Sequence, residues 1–204
     1  MIAKIPTFFT AKNMAKLGIF SALSAVLYFL NFPLPFIFPA FLKLNLSDLP
    51  SLICGFAMGP LAGFLTIAIK ILIKLPFSET FGVGELSDFI NACAFLLPAS
   101  LIYRVNKCKK NALIGLIVGS LASIVTSLFA NRFIIIPFYL TVMNYTMEML
   151  AGACSAVLPK ITASNFYSYY IPFAVFPFNA LRCLITSLVT YFTYKRISQV
   201  LKKF

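Results

Sequence analysis

The chain has 204 residues, 61% hydrophobic and only 11% charged, with a mean hydropathy of +0.95. Soluble domains carry about a quarter charged residues, so disorder, coiled coil and a secreted disulfide scaffold are excluded, leaving an all-α integral membrane protein. A net charge of +12 comes with no histidine, which excludes His-based catalysis and His-ligated metal sites, and no G-x-x-x-x-G-K-[ST] loop is present for ATP.

Apolar runs at about 13–30, 47–58, 60–76, 86–103, 112–136 and 173–194 predict six transmembrane helices in a single membrane domain, 1–204. The first run lacks an A-x-A-like site after it and is read as a retained span. The short second run ends at Gly59-Pro60, which predicts a tight turn into the third. Six crossings place both termini and the 104–110 connection in the cytoplasm. Eleven of the 17 basic residues then share one side: Lys4, Lys12, Lys16; Arg104, Lys107, Lys109, Lys110; Lys195, Arg196, Lys202, Lys203. That is the positive-inside pattern, and it assigns the positive charge to the membrane and not to nucleic acid. All five acidic residues fall in segments assigned to the outer side. The five cysteines show no C-x-x-C pairing, so neither disulfide nor metal is expected.

The outer connection 31–46 is unusually aromatic. Pro33, Pro35 and Pro39 predict an extended path, and Phe32, Phe36, Phe38 and Phe41 offer ring faces. An interfacial belt and a gate over a pocket for a flat molecule both fit. A seventh crossing at 141–157 would put the basic C-terminus outside, so 138–172 is read as an external lid or interfacial segment.

Polar groups recur near the outer helix ends: Glu85, Asp88 and Asn91 at three-residue spacing, Lys70 and Lys74, Asn131 and Arg132, Asn179 and Arg182. Each has a structural explanation. Glu85 and Asp88 suit a helix N-terminus, Lys74 snorkels, Lys70 has Asp88 or Glu85 as partner, and Asn131 serves as interhelical glue. Their convergence at one depth favours an outward-facing pocket for a polar-rimmed solute, since ionisable groups in spans cost about 2.5–3.5 kcal/mol on insertion scales. Small residues (Gly18/Ala22, Ser21/Ala25; Gly55, Gly59, Gly63; Gly115, Gly119) predict close helix approach. The first three helices also present a smooth face for a separate membrane protein.

FPLPFIFPAFLKLNLSDLP, GFAMGPLAGF, GELSDFI, ANRFIIIPFY and PFNALRCLITSLVTY occur in an order that resembles the substrate-binding S components of energy-coupling factor vitamin transporters, nearest the riboflavin-specific type, from about residue 13 to 196. The resemblance implies a non-enzymatic, multi-pass cell-membrane protein that captures riboflavin as transported ligand. No cofactor is implied. Its partners would be a transmembrane coupling protein carrying two cytosolic ATPases, and membrane lipid. Carried over by motif, the ligand-facing residues are Phe41, Lys43, Leu44 and Asp48 in the loop, then Asn131, Asn179 and Arg182, with Glu85 and Asn91 as further candidates. Ser21, Ala22 and Ala25 would meet the coupling protein. Asn45 and Arg182 stand where this group usually has Asp and Lys, and Arg132 replaces a common aromatic. Another vitamin, or a stand-alone facilitator or channel, is the alternative.

Overall fold

A computed structural model describes residues 10–203, with side chains through Arg196. Lys4 and the side chains of Lys202 and Lys203 therefore lie outside the described residues. Helix α1 (Ala11–Phe29) starts where the Thr10 hydroxyl accepts the Asn13 N–H. A short hairpin, β1 (Phe32–Pro33) with β2 (Lys43–Leu44), leads to α2 (Asp48–Met58) and α3 (Pro60–Lys74). Gly59 joins these two helices at φ +105°, a conformation that costs a side chain its fit, and Pro60 starts α3 where its missing N–H has no helical partner to lose. Then come α4 (Val83–Val105), α5 (Lys109–Ala130), α6 (Ile136–Val142), α7 (Met147–Ser155), α8 (Phe166–Tyr170) and α9 (Phe176–Lys203).

Four helical stretches are long and apolar enough to cross a membrane: Pro60–Phe77, Val83–Val105, Lys109–Val142 and Phe166–Arg196. At about 1.5 Å per residue α1 spans roughly 28 Å and α2 only about 16 Å. The external segment expected at 138–172 is divided differently. Residues 138–142 continue the 34-residue stretch Lys109–Val142, and 166–172 open the 31-residue stretch Phe166–Arg196. Only α7 and its flanks stand apart, with Leu150, Ala151 and Cys154 turned inward. Pro137 and Pro172 are both accommodated within helix, so the long helices reach into this segment from either side.

The aromatic loop is not extended throughout. Ile37 and Phe38 both donate to the Leu34 carbonyl, at 3.0 and 2.9 Å, and Leu42 donates to Pro39, so the chain between the prolines coils back. Phe38 thereby packs edge-on against Phe178 at 5.3 Å and Phe41 tilts over Tyr170 at 5.9 Å, while Phe32 and Phe36 point outward.

The tightest helix pair is α4 with α5. A Cβ built on Gly119 would lie 2.4 Å from the Phe95 carbonyl oxygen, and one on Gly115 would lie 2.6 Å from that of Ala99. Backbone cannot step aside as a side-chain tip can, so Gly119→Ala must push the helices apart. The expected cost is about 1–3 kcal/mol, read as a lower thermal unfolding midpoint in detergent. Gly18→Ala, with nothing within 4 Å of the added carbon, should leave the midpoint in place.

Candidate functional site

Four buried ionic side chains meet inside the bundle. Lys70 Nζ lies 2.8 Å from Asp48 Oδ1 and 2.8 Å from Asp88 Oδ2, and Arg182 Nη2 lies 2.6 Å from Asp48 Oδ2 and 2.5 Å from Asp88 Oδ1. The Lys70–Asp88 contact is an ion pair without hydrogen-bond geometry. The residues come from α2, α3, α4 and α9, and two positive charges balance two negative ones. Of the partners open to Lys70 on sequence grounds, the structure brings Asp88 and adds Asp48.

The same lysine anchors the loop. Lys70 donates to Ser47 Oγ at 2.6 Å, and Ser47 donates through its hydroxyl and its backbone N–H to Asn45 Oδ1, at 2.7 and 3.2 Å. Ser24 of α1 donates to the Ser47 carbonyl at 2.6 Å. Asn45 thus does what an aspartate would do at this position, accepting two bonds in a side-chain turn ahead of a helix.

Above this cluster opens a cavity of about 410 Å³. Its floor includes Asp88 and Arg182, and its rings are Tyr28, Phe41, Tyr139, Tyr170 and Phe178. Phe41, Lys43, Glu85, Asn91, Asn131, Asn179 and Arg182 all line it, which brings together seven of the nine ligand-facing candidates. The other two are placed elsewhere. Leu44 sits in the hairpin off the cavity wall, and Asp48 lies beneath the floor with both oxygens engaged by Lys70 and Arg182. Asp48 therefore holds Arg182 and offers no free oxygen to a ligand. Arg132 is exposed, its guanidinium 3.7 Å from the Tyr167 ring centroid.

Lining residues that the sequence did not single out include Tyr28, Tyr139, Tyr170 and Phe178. Two π-helical turns explain several of them. Residues Asn131–Ile135 and Ile171–Val175 are π-helical, with Ile136 N–H bonded to the Asn131 carbonyl and Phe176 N–H to that of Ile171. Pro137 and Pro177 follow at once, and neither has an N–H for the regular four-residue bond, so the wider turn carries the chain through. Residues eight apart in a plain α-helix differ by roughly 80° in direction, and the one-residue insertion cuts that to roughly 20°. Asn131 with Tyr139, and Tyr170 with Phe178, are pairs at that spacing across the two π turns, and all four face the cavity. The signal was present as the two prolines.

Within the wall Asn131 donates to the Ser127 carbonyl at 2.8 Å and accepts from the Tyr170 hydroxyl at 3.2 Å, while Asn179 donates to the Val175 carbonyl at 2.9 Å. Asn91 is different: it is 3% exposed, and its Oδ1 has no partner among the described residues. A buried unpaired acceptor on a cavity wall costs about 1–3 kcal/mol and marks a place for a donor. At the mouth Lys43 bonds Glu79 at 2.5 Å, and that hydrogen bond, then the lysine's charge, hold the Glu79 carboxyl below its ordinary range. The five cysteines are free, and no cluster of three metal-ligating side chains occurs among the described residues.

On α1 the three small residues assigned to a partner divide. Ser21 and Ala25 turn into the bundle, and Ala22 points out beside Gly18. The reason is the packing of α1 on α2 and α3, which takes the Ser21/Ser24/Ala25 face.

Lys70→Met would leave Asp48 and Asp88 sharing one buried cation. We expect a loss of about 3–5 kcal/mol, seen as a fall in the unfolding midpoint. Adding Asp48→Asn restores neutrality and should recover part of it. An unchanged midpoint in the single variant would show that the cluster is not what ties the helices.

Comparison with known proteins follows the same lines. Residues 12–194 match the family described as ECF transporter, substrate-specific component. The chain is 29% identical over 192 residues to the riboflavin transporter RibU of Staphylococcus aureus, covering 94% of this chain and 93% of that protein. It is 26% identical to the riboflavin transporter FmnP of Bacillus subtilis, covering 87% of each. A solved structure of the S component of a bacterial ECF transporter superposes with a TM-score of 0.70 at 28% identity, covering 93% of this chain and 96% of that one. The chain therefore belongs to the substrate-specific component family of ECF transporters, as a multi-pass protein of the cell membrane.

Proposed function

We propose that the chain captures riboflavin from outside the cell and passes it to partner subunits for ATP-driven uptake, doing no covalent chemistry itself. The observation that carries this reading is the cavity: aromatic rings on several sides, a neutral ionic floor, and the unpaired Asn91 Oδ1 in its wall. Its volume of about 410 Å³ lies in the ~300–1,000 Å³ range of small-molecule sites. The similar RibU and FmnP proteins are named as riboflavin transporters. The flavin is cargo in this reading, and no resident cofactor is required.

Sidedness follows from charge. The cavity gathers the C-terminal ends of α1, α3 and α5 and the N-terminal ends of α4 and α9. The basic groups Lys12, Lys16, Arg104, Lys109, Lys110, Lys195 and Arg196 lie at the other ends of these helices. The positive-inside rule then turns the cavity outward and keeps both termini in the cytoplasm. With α1 crossing and α2 partly inserted as a pair with α3, six membrane segments result.

In this reading Phe41, Tyr170 and Phe178 cover the ring system, Asn131, Asn179 and Arg182 address its polar edge, and Asn91 accepts a hydrogen bond from the ligand. A coupling protein carrying two ATPases would meet the outward small face of α1 at Gly18 and Ala22, where a neighbouring helix can approach closely.

The test is fluorescence titration of riboflavin into the detergent-purified chain, with thiamine, biotin and folate as competitors. Saturable quenching at one site per chain, unmoved by the competitors, is expected, and no quenching by monodisperse protein would reject the reading. Asn91→Ala should weaken binding by about 1–3 kcal/mol while leaving the ligand-free protein at least as stable, because it removes a buried unpaired acceptor.

A further inference from the structure

One turn nearer the cavity mouth than the ionic cluster, the same two helices carry a second pair of opposite charges. Lys74 follows Lys70 by four residues on α3, and Glu85 precedes Asp88 by three on α4, so each stands about one turn outward of a paired residue. Both are buried, at 8% and 5% exposure, and both line the cavity.

Among the described residues they pair neither with one another nor with any other charge. Among the described residues Lys74 makes no ion pair and no hydrogen bond, and its Nζ lies over the Phe29 ring, 4.5 Å from the centroid. Glu79, close enough to feel the Lys74 charge, is taken by Lys43. Glu85 accepts from Ser78 Oγ at 2.6 Å and from Thr80 Oγ1 at 3.5 Å, both through Oε2, which leaves Oε1 without a partner among the described residues. The lining thus holds one ammonium with unused donors and one carboxylate with an unused oxygen. Charges so buried are normally paired. Both line the same cavity, and no ion pair joins them.

We infer that Lys74 and Glu85 form a clamp for the hydroxylated chain of the ligand, with Lys74 as a specificity residue. A hydroxyl is neutral yet both donates and accepts. A run of hydroxyls therefore satisfies the carboxylate and the ammonium together without adding charge to a lining whose other cations are already paired. Lys74 donates to a hydroxyl oxygen and Glu85 Oε1 accepts from a hydroxyl proton. This inference rests on the riboflavin reading and assigns the ribityl chain to the space between α3 and α4.

The experiment compares riboflavin with lumiflavin, which keeps the tricyclic ring and replaces the polyol by a methyl group. Both are titrated by fluorescence into the full-length chain and its Lys74→Met and Glu85→Gln variants, with the unfolding midpoint of each ligand-free protein as a check on folding. Lys74→Met and Glu85→Gln are each expected to weaken riboflavin at least tenfold and to change lumiflavin less than twofold, with midpoints held or raised. Equal losses for both ligands would overturn the clamp and place these residues on the ring. Unchanged riboflavin affinity would overturn it as well, as would a loss that merely tracks a fallen midpoint. If the unaltered chain binds neither flavin, the riboflavin reading fails and takes the clamp with it. Binding by the unaltered chain without the differential loss overturns the clamp alone.

Discussion

Neutralising four charges in an apolar bundle is the constraint on which the rest of the molecule depends. Lys70, Asp48, Asp88 and Arg182 come from four helices, and none can leave without stranding another in low dielectric. Their mutual contacts therefore fix α2, α3, α4 and α9 at one depth. The arrangement reaches beyond charge. Through Ser47 and Asn45, Lys70 also fixes the foot of the hairpin, and through Asp48 and Asp88 it decides where Arg182 stands in the cavity floor.

The cavity exists where this pairing and regular helix geometry both stop. One turn above the cluster the charges on α3 and α4 no longer meet, and on the long helices two prolines force π turns. Each π turn rotates the following residues so that rings and amides eight positions apart share one face. A plain α-helix would have sent Tyr139 and Phe178 well aside of Asn131 and Tyr170. The local irregularity is thus part of how the wall is built, in keeping with the frequent placement of π turns at functional sites.

These features explain what was legible in the sequence. The apolar runs, the Gly59-Pro60 break and the basic ends follow from composition and spacing, because a membrane imposes strong rules on both. Asn131, Asn179, Arg182, Glu85 and Asn91 stood out because polar groups in spans are costly, and the structure gathers all five around one space. The rest required three dimensions. Asp48 could be flagged by chemistry, but only the contacts of both its oxygens place it beneath the floor. Tyr139 and Tyr170 were hidden by the break in the helical period. On α1, four-residue spacing marked two small stripes, Gly18/Ala22 and Ser21/Ala25, and nothing in the spacing tells which faces inward.

The site joins a rigid floor to a lightly held roof. The floor is buried and charge-balanced. The roof is a hairpin with two-residue strands, anchored inward by Phe38 and Phe41 and tied at its mouth by an exposed ion pair, while Phe36 stays 96% exposed. An exposed pair of this kind contributes little, about 0–1 kcal/mol, so the roof is held mainly by the ring contacts of Phe38 and Phe41. Contact alone would give a ligand of about 27 heavy atoms roughly 8 kcal/mol, near micromolar affinity. Tighter capture has to come from polar groups already held in place, and the ionic cluster supplies that by fixing Arg182 before any ligand arrives. Roof and floor are thus held by different interactions, ring packing above and ion pairing below, and Lys70 joins the two through Ser47 and Asn45.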